Sequence, residues 1–145
     1  MNQLVAALAE RDIQVQKFEL STTDIGKLKI ALFYAATIEI GTPTVHVGPH
    51  PSVFFATHLA NALRPKLKYA AMIGSYAWGT KAVEQISGLI PNRKVEVLGA
   101  VLCKGLPRAA DFSAWTIFPK RSGKGIPRYE EHRTALFSSS IPAPA

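Results

Sequence analysis

A single cysteine, Cys103, stands in this chain of 145 residues, so no disulfide can form within it. A lone thiol fits a reducing compartment, and a cytoplasmic location is expected. No apolar run approaches the roughly 18 residues that a membrane-spanning helix needs, and no membrane partner is expected. The opening residues, MNQLVAALAERD, lack the basic start and cleavage site of a secretory signal and read instead as an amphipathic helix. Charge is scarce, at 19% of residues against 48% hydrophobic, which is the balance of one globular domain rather than of a disordered chain. The net charge of +7 is uneven: residues 1–115 carry 12 Lys/Arg against 8 Asp/Glu, and residues 116–145 carry 5 against 2. The basic tail has no interleaved aromatic pattern, so a solvated surplus is expected rather than a nucleic-acid surface.

Chemistry-bearing groups are also sparse. His46, His50 and His58 are spaced by four and then eight, with no cysteine or acid among them. A metal site needs three or four converging ligands, and no metal site is expected here. No residue reads as an acid, base or nucleophile, so no catalytic residue is assigned. Cys103, within AVLCKG, reads as strand core, and RSGKG in the tail lacks both the spacing and the preceding strand of a phosphate loop.

What is present is a regular alternation. Helical spacing covers Asn2–Arg11, and IQVQKFEL (Ile13–Leu20) alternates as a strand. Ser21 to Asp24 supplies N-cap candidates for a helix over Ile25–Tyr34. Strands then read at Ala36–Gly41, Lys68–Ser75 and Lys94–Gly105, the last with an interruption at Gly99. Helices read at Pro51–Leu63 and Lys81–Ile90. Alternating helices and strands make an α/β domain, a parallel sheet between two helical layers. Ligands of such sheets sit beyond the carboxyl ends of the strands.

Two loops fall at those ends. GTPTVHVGPHP combines small residues, which let a ring approach the backbone, with prolines that hold the loop open. GSYAWGTKA sets Tyr76 and Trp78 beside Gly79, an arrangement suited to stacking on a planar heterocycle. Glu39 interrupts an otherwise apolar strand, and Ile30, Phe33 and Tyr34 fall off the apolar stripe of their helix, leaving a patch that would suit a partner.

At these residues the chain resembles a known family. From Ile13 to Asp111, the motifs TDIGKL, ATIEIGTPT, GPHPSVFFATHLANALRPK, IGSYAWGTKAVEQI, NRKVEVL and KGLPRAADF are similar to the flavodoxin-like domain of flavodiiron proteins, or A-type flavoproteins. The resemblance implies a three-layer flavodoxin-like fold that binds FMN between the two loops. Members pass electrons to a diiron centre that reduces oxygen or nitric oxide. It assigns Thr42, Pro43, Thr44, Val45, His46 and Gly48 to one side of the flavin, and Ser75, Tyr76, Ala77, Trp78 and Gly79 to the other. Ala77 and Thr80 stand where relatives commonly carry glycine, so a clash or a strained backbone is expected there.

The resemblance also implies parts that are missing. The first strand, central in the order 2-1-3-4-5, and the Ser/Thr-rich phosphate loop that follows it have no counterpart ahead of Asn2. The diiron domain is absent as well. The expectation is an incomplete domain over residues 1–114. Residues 115–145 would then form a basic, Pro-containing tail that is disordered at both ends, or helical around Tyr129–Phe137. Loss of three phosphate contacts at roughly 1.5–3 kcal/mol each would weaken FMN binding by about three to six orders of magnitude. The expected function is an FMN-binding electron-transfer module, not catalytic alone, served by a diiron-domain protein or another redox partner. The alternative is a non-catalytic interaction module or degenerate fragment, completed by a second copy or by a strand-donating partner.

Overall fold

The computed structural model describes residues 2–10, 13–63, 66–90, 95–115 and 133–138. Its elements, in chain order, are α1 (Asn2–Ala9), β1 (Gln14–Glu19), α2 (Ile25–Tyr34), β2 (Thr37–Val45), β3 (Gly48–Pro49), α3 (Pro51–Leu63), β4 (Tyr69–Tyr76), α4 (Ala82–Leu89), β5 (Glu96–Lys104), α5 (Ala109–Trp115) and β6 (Arg133–Ser138). Local chemistry accounts for the boundaries. Asp24 accepts the Lys27 N–H at 3.0 Å and caps α2. His50 opens α3, its carbonyl accepting the Val53 and Phe54 N–H groups while its Nδ1 accepts from Ser52. Gly99 interrupts β5 without ending it. It adopts φ 134° at a bulge where the register against Ala70 and Ala71 shifts by one residue.

Five strands pair in parallel in the order β1-β6-β2-β4-β5, and β3 folds back antiparallel on β2. One face buries Ile38 and Ile40 of β2 with Ala70 and Met72 of β4. It packs against Leu28 and Leu32 of α2, Val53, Ala56 and Ala60 of α3, and Ile86 of α4. The other face buries Ala71 and Ile73 of β4 with Leu98 and Cys103 of β5 under Leu8 of α1. The α/β three-layer architecture read from the pattern is therefore present, and its sheet has the flavodoxin-like order.

The expected gap in the middle of that sheet is filled. β6 comes from the segment read as tail and lies in the central position, parallel to both neighbours. Its residues pair from Gln14↔Arg133 to Glu19↔Ser138 on one side and from Thr37↔Thr134 to Gly41↔Ser138 on the other. The Leu20 N–H continues the ladder to the Ser138 carbonyl at 2.8 Å. Counted as the first strand, β6 gives the order 2-1-3-4-5. Two expectations are corrected here. Residues 133–138 belong to the domain rather than to a separate tail, and they are strand, not the helix considered around Tyr129–Phe137. The physical reason is the slot itself: β1 and β2 would each present an unpaired ladder edge there, and a short strand satisfies both. The ends of the tail, where disorder was expected, lie outside the described residues.

Filling the slot changes the position of Glu39. An open gap would have let it reach water, but its side chain is only 1% exposed. Neither carboxylate oxygen, nor the Thr37 hydroxyl two residues earlier, has a hydrogen-bond partner among the described residues. Burial pushes the carboxyl from its ordinary 4.5 up to about 7. Ionising it in place costs about 3 kcal/mol.

If β6 is integral to the sheet, a chain ended after Trp115 loses every ladder partner of β1 and one side of β2. Its thermal unfolding, followed by circular dichroism, should show no cooperative transition, whereas the full chain should show one.

Candidate functional site

Because all five long strands run parallel, their carboxyl ends share one rim, and the candidate loops meet there. On one side β2 runs past the sheet into a two-residue hairpin, with Thr44 opposite Pro49 and Val45 opposite Gly48. The turn residues His46 and Val47 both have positive φ, 47° and 71°. Paired positive angles make the turn that suits the right-handed twist of a hairpin. A β-branched residue there is strained, and its surroundings must hold it. The Lys81 N–H does so, donating to the Val47 carbonyl at 2.6 Å.

On the other side, β4 ends at Ser75 and Tyr76, and Ala77 to Lys81 leads into α4. Besides the Lys81–Val47 bond, two ties brace the two loops against each other and against β5. Thr44 Oγ1 donates to Thr80 Oγ1 at 2.9 Å, and Thr80 Oγ1 also accepts the Ala82 N–H at 3.0 Å where α4 begins. The Tyr76 carbonyl accepts the Gly105 N–H at 2.8 Å. Gly48 lies against Gln85 of α4, whose Oε1 would be 2.7 Å from any added Cβ.

The sequence-derived residues divide by what they do here. Thr42 is buried; its hydroxyl accepts the His50 N–H at 2.9 Å and donates to the Pro43 carbonyl at 2.8 Å, so it shapes the hairpin. Thr44 is likewise engaged. Pro43, Val45, Ser75 and Tyr76 are half-buried along the rim, with Pro43 opposite Ser75 in the ladder. His46, Ala77 and Trp78 are exposed, and Trp78 is 89% so. Gly79 has open space where a side chain would stand.

The strain expected at Ala77 and Thr80 is absent, since the only non-glycine positive φ values among the described residues are at His46 and Val47. Thr80 instead supplies the hydroxyl that joins the two loops. The residues missed by sequence reasoning are those with structural jobs at the rim: Thr80, Lys81, Gln85, Gly105 and Ser138. Leu106, 87% exposed in the loop after β5, was passed over as well. Only Thr80 carried a signal, as a departure from the family pattern.

Other candidates settle into local roles. His50 Nδ1 and Ser52 Oγ are 2.8 Å apart at the α3 cap, and His58 is exposed on α3. Burial raises the Cys103 thiol above its ordinary pKa, and the nearby Asp111 adds to the shift, so the sulfur stays a protonated core group. Ile30, Phe33 and Tyr34 are exposed on α2, with the last two rings meeting edge to face at 5.2 Å. No helix of the described residues is long and apolar enough to cross a membrane.

No family model matches the chain. Over 89 residues it is 25% identical to an uncharacterized protein of Methanocaldococcus jannaschii, an alignment spanning 61% of this chain and 23% of that one. Among solved structures it is similar to the flavodiiron core of a Synechocystis protein, with a TM-score of 0.73 at 16% identity over 86% of this chain and 32% of the other. The flavodiiron protein of Giardia intestinalis matches with a TM-score of 0.72 at 20% identity, over 85% of this chain and 32% of the other. A flavodoxin from the domain Archaea matches at 0.65 and 20% identity, over 85% of each chain. The fold is flavodoxin-like. The chain spans about a third of the flavodiiron structures and about a quarter of the curated relative.

The close packing behind the site yields a test. A Cβ on Gly74 would lie 2.8 Å from both the Thr42 carbonyl oxygen and Leu102 Cδ2, whereas one on Gly48 meets only the mobile end of Gln85. Gly74→Ala should cost about 1–3 kcal/mol in urea unfolding and Gly48→Ala much less. Equal losses would mean that the β4 end and the hairpin are not packed this way.

Proposed function

We propose that the chain is an FMN-binding electron-transfer module, with the flavin ring held between the Thr42–Gly48 hairpin and the Ser75–Gly79 loop. The observation that carries this reading is Trp78. A large aromatic side chain left 89% exposed, on a loop tied to its neighbours by hydrogen bonds, has the character of a stacking surface awaiting a planar ligand. The flavin-protein likenesses of the fold support it, and the open space at Gly79 leaves the ring room to approach the backbone.

The residues fit the ring end of such a ligand. In this reading His46 and Val47 border it from the hairpin tip, and Tyr76 and Trp78 from the opposite loop. When bound, FMN would supply the redox chemistry itself, and the chain would bind the ring, orient it and limit water around it. Its electron partner in this reading is a diiron domain or another redox protein.

At the phosphate end, the resemblance places a Ser/Thr-rich loop after the central strand. The central strand here is β6, and in sequence Ser138 is followed by Ser139 and Ser140. On sequence order, this reading assigns the phosphate contacts to these two hydroxyls. Binding need not be as weak as a missing loop would imply.

The experiment is a fluorescence titration of FMN and of riboflavin. Saturable quenching of FMN is expected, and Trp78→Ala should weaken it roughly tenfold, the loss of about 1.4 kcal/mol of stacking. FMN should bind more tightly than riboflavin, and a Ser139→Ala/Ser140→Ala chain should lose that preference. Absence of quenching by either flavin up to millimolar protein would overturn the reading.

A further inference from the structure

Three buried polar atoms without partners among the described residues, Thr37 Oγ1 and both carboxylate oxygens of Glu39, lie on one face of β2, two residues apart. Thr37 and Glu39 are also the positions where β6 pairs, opposite Thr134 and Leu136. The uncompensated polar groups therefore border the strand that closes the sheet. That strand is six residues long and is reached from α5 across residues 116–132. β1 has no other ladder partner among the described residues, so β6 and β1 form the part of the sheet held to the rest through a single strand junction.

We propose that Glu39 makes the seating of β6 pH-dependent: the neutral carboxyl allows the strand to close the sheet, and the ionised carboxylate favours a form in which β6 has left its slot. A buried carboxylate with no partner can relieve its desolvation only by protonating or by gaining water. β6 is the neighbour whose departure admits water, because β4 on the other side is clamped between β2 and β5. The surrounding charges offer no alternative. Register puts Lys17 and Glu19 of β1 on this face, one strand beyond β6. Tyr69 of β4 and Glu96 of β5 lie toward the amino end of the sheet. Asn2–Ala9 contains no charged residue, Glu10 is exposed at its end, and Asp111 sits on α5. None of these bonds either oxygen of Glu39.

The direction follows from proton binding. Closed, the carboxyl titrates near 7; with β6 out and water present, it returns toward its ordinary 4.5. Between those values the closed form holds the extra proton, so closure weakens as pH rises through the window and levels off above it. Ser138 ends β6 opposite Gly41, next to Thr42, so release of the strand also alters the rim.

The test is hydrogen exchange read at residues 133–138 and 14–19, with 70–76 and 97–103 as reference, on the full chain from pH 5 to 8 and corrected for intrinsic exchange. The opening constant of β6 and β1 should rise about 50-fold between pH 5 and pH 7.5 and then flatten, while β4 and β5 change far less. In Glu39→Gln the rise should vanish, and Glu39→Met serves as the second neutral variant should the amide fold poorly. A flat wild-type profile would overturn the proposal. So would a pH trend that persists in both variants, because it could not come from Glu39. Parallel loss of protection in all strands would also overturn it, because that is global unfolding rather than release of one strand.

Discussion

The pairing of β6 between β1 and β2 is the constraint on which the rest of this structure depends. Without it β1 has no ladder partner and β2 has one bare edge, so the sheet would divide into a lone strand and a three-stranded remainder. With it, five parallel strands are buried between two helical layers, as such sheets require. The chain must bring together residues more than a hundred positions apart, Gln14 with Arg133, before either edge is satisfied. The loop-closure entropy grows only slowly with the length of the connection, so the cost is bearable. Its kinetic consequence is larger, since non-local parallel pairings of this kind form slowly.

The rim follows from that arrangement. Parallel strands deliver every carboxyl end to one edge, and hydrogen bonds between neighbouring loops then hold them in place. Thr44 to Thr80, Lys81 to Val47 and Gly105 to Tyr76 tie the hairpin, the Trp78 loop and the turn after β5 into one frame. A strained Val47 can persist within such a frame because several contacts determine its backbone together. Preorganisation of this kind lowers the ordering cost of binding. Trp78 projects from the frame with little to cover it, and it is the most exposed aromatic side chain among the described residues.

Much of the fold was legible in the order of residues because its signals are local. The Asp24 cap, the prolines that bound α3 and the apolar run of β4 each mark an element by its own chemistry. The rim loops were legible from small and aromatic residues at strand ends. β6 was not. Six residues in RTALFS carry a short apolar run that period alone cannot tell from a helix fragment, and neighbouring prolines and charges hide it. Its place is decided by the slot it fills, which no local pattern encodes. Glu39 was the one hint: it looked wrong for a covered strand beside the expected opening. The opening is closed, and the carboxylate is buried against the strand that closes it. At the site, the roles of Thr80 and Gln85 depended on contacts between loops far apart in sequence, so they were out of reach as well.

The most direct test of this account is a nuclear Overhauser map of the backbone in isotope-labelled protein. Cross-strand contacts from Phe137 to both Phe18 and Ile40 are predicted, with none between Phe18 and Ile40 themselves. Direct contacts between β1 and β2 would contradict it, because they would mean that the two strands close on each other and that the carboxyl-terminal segment takes no part in the sheet.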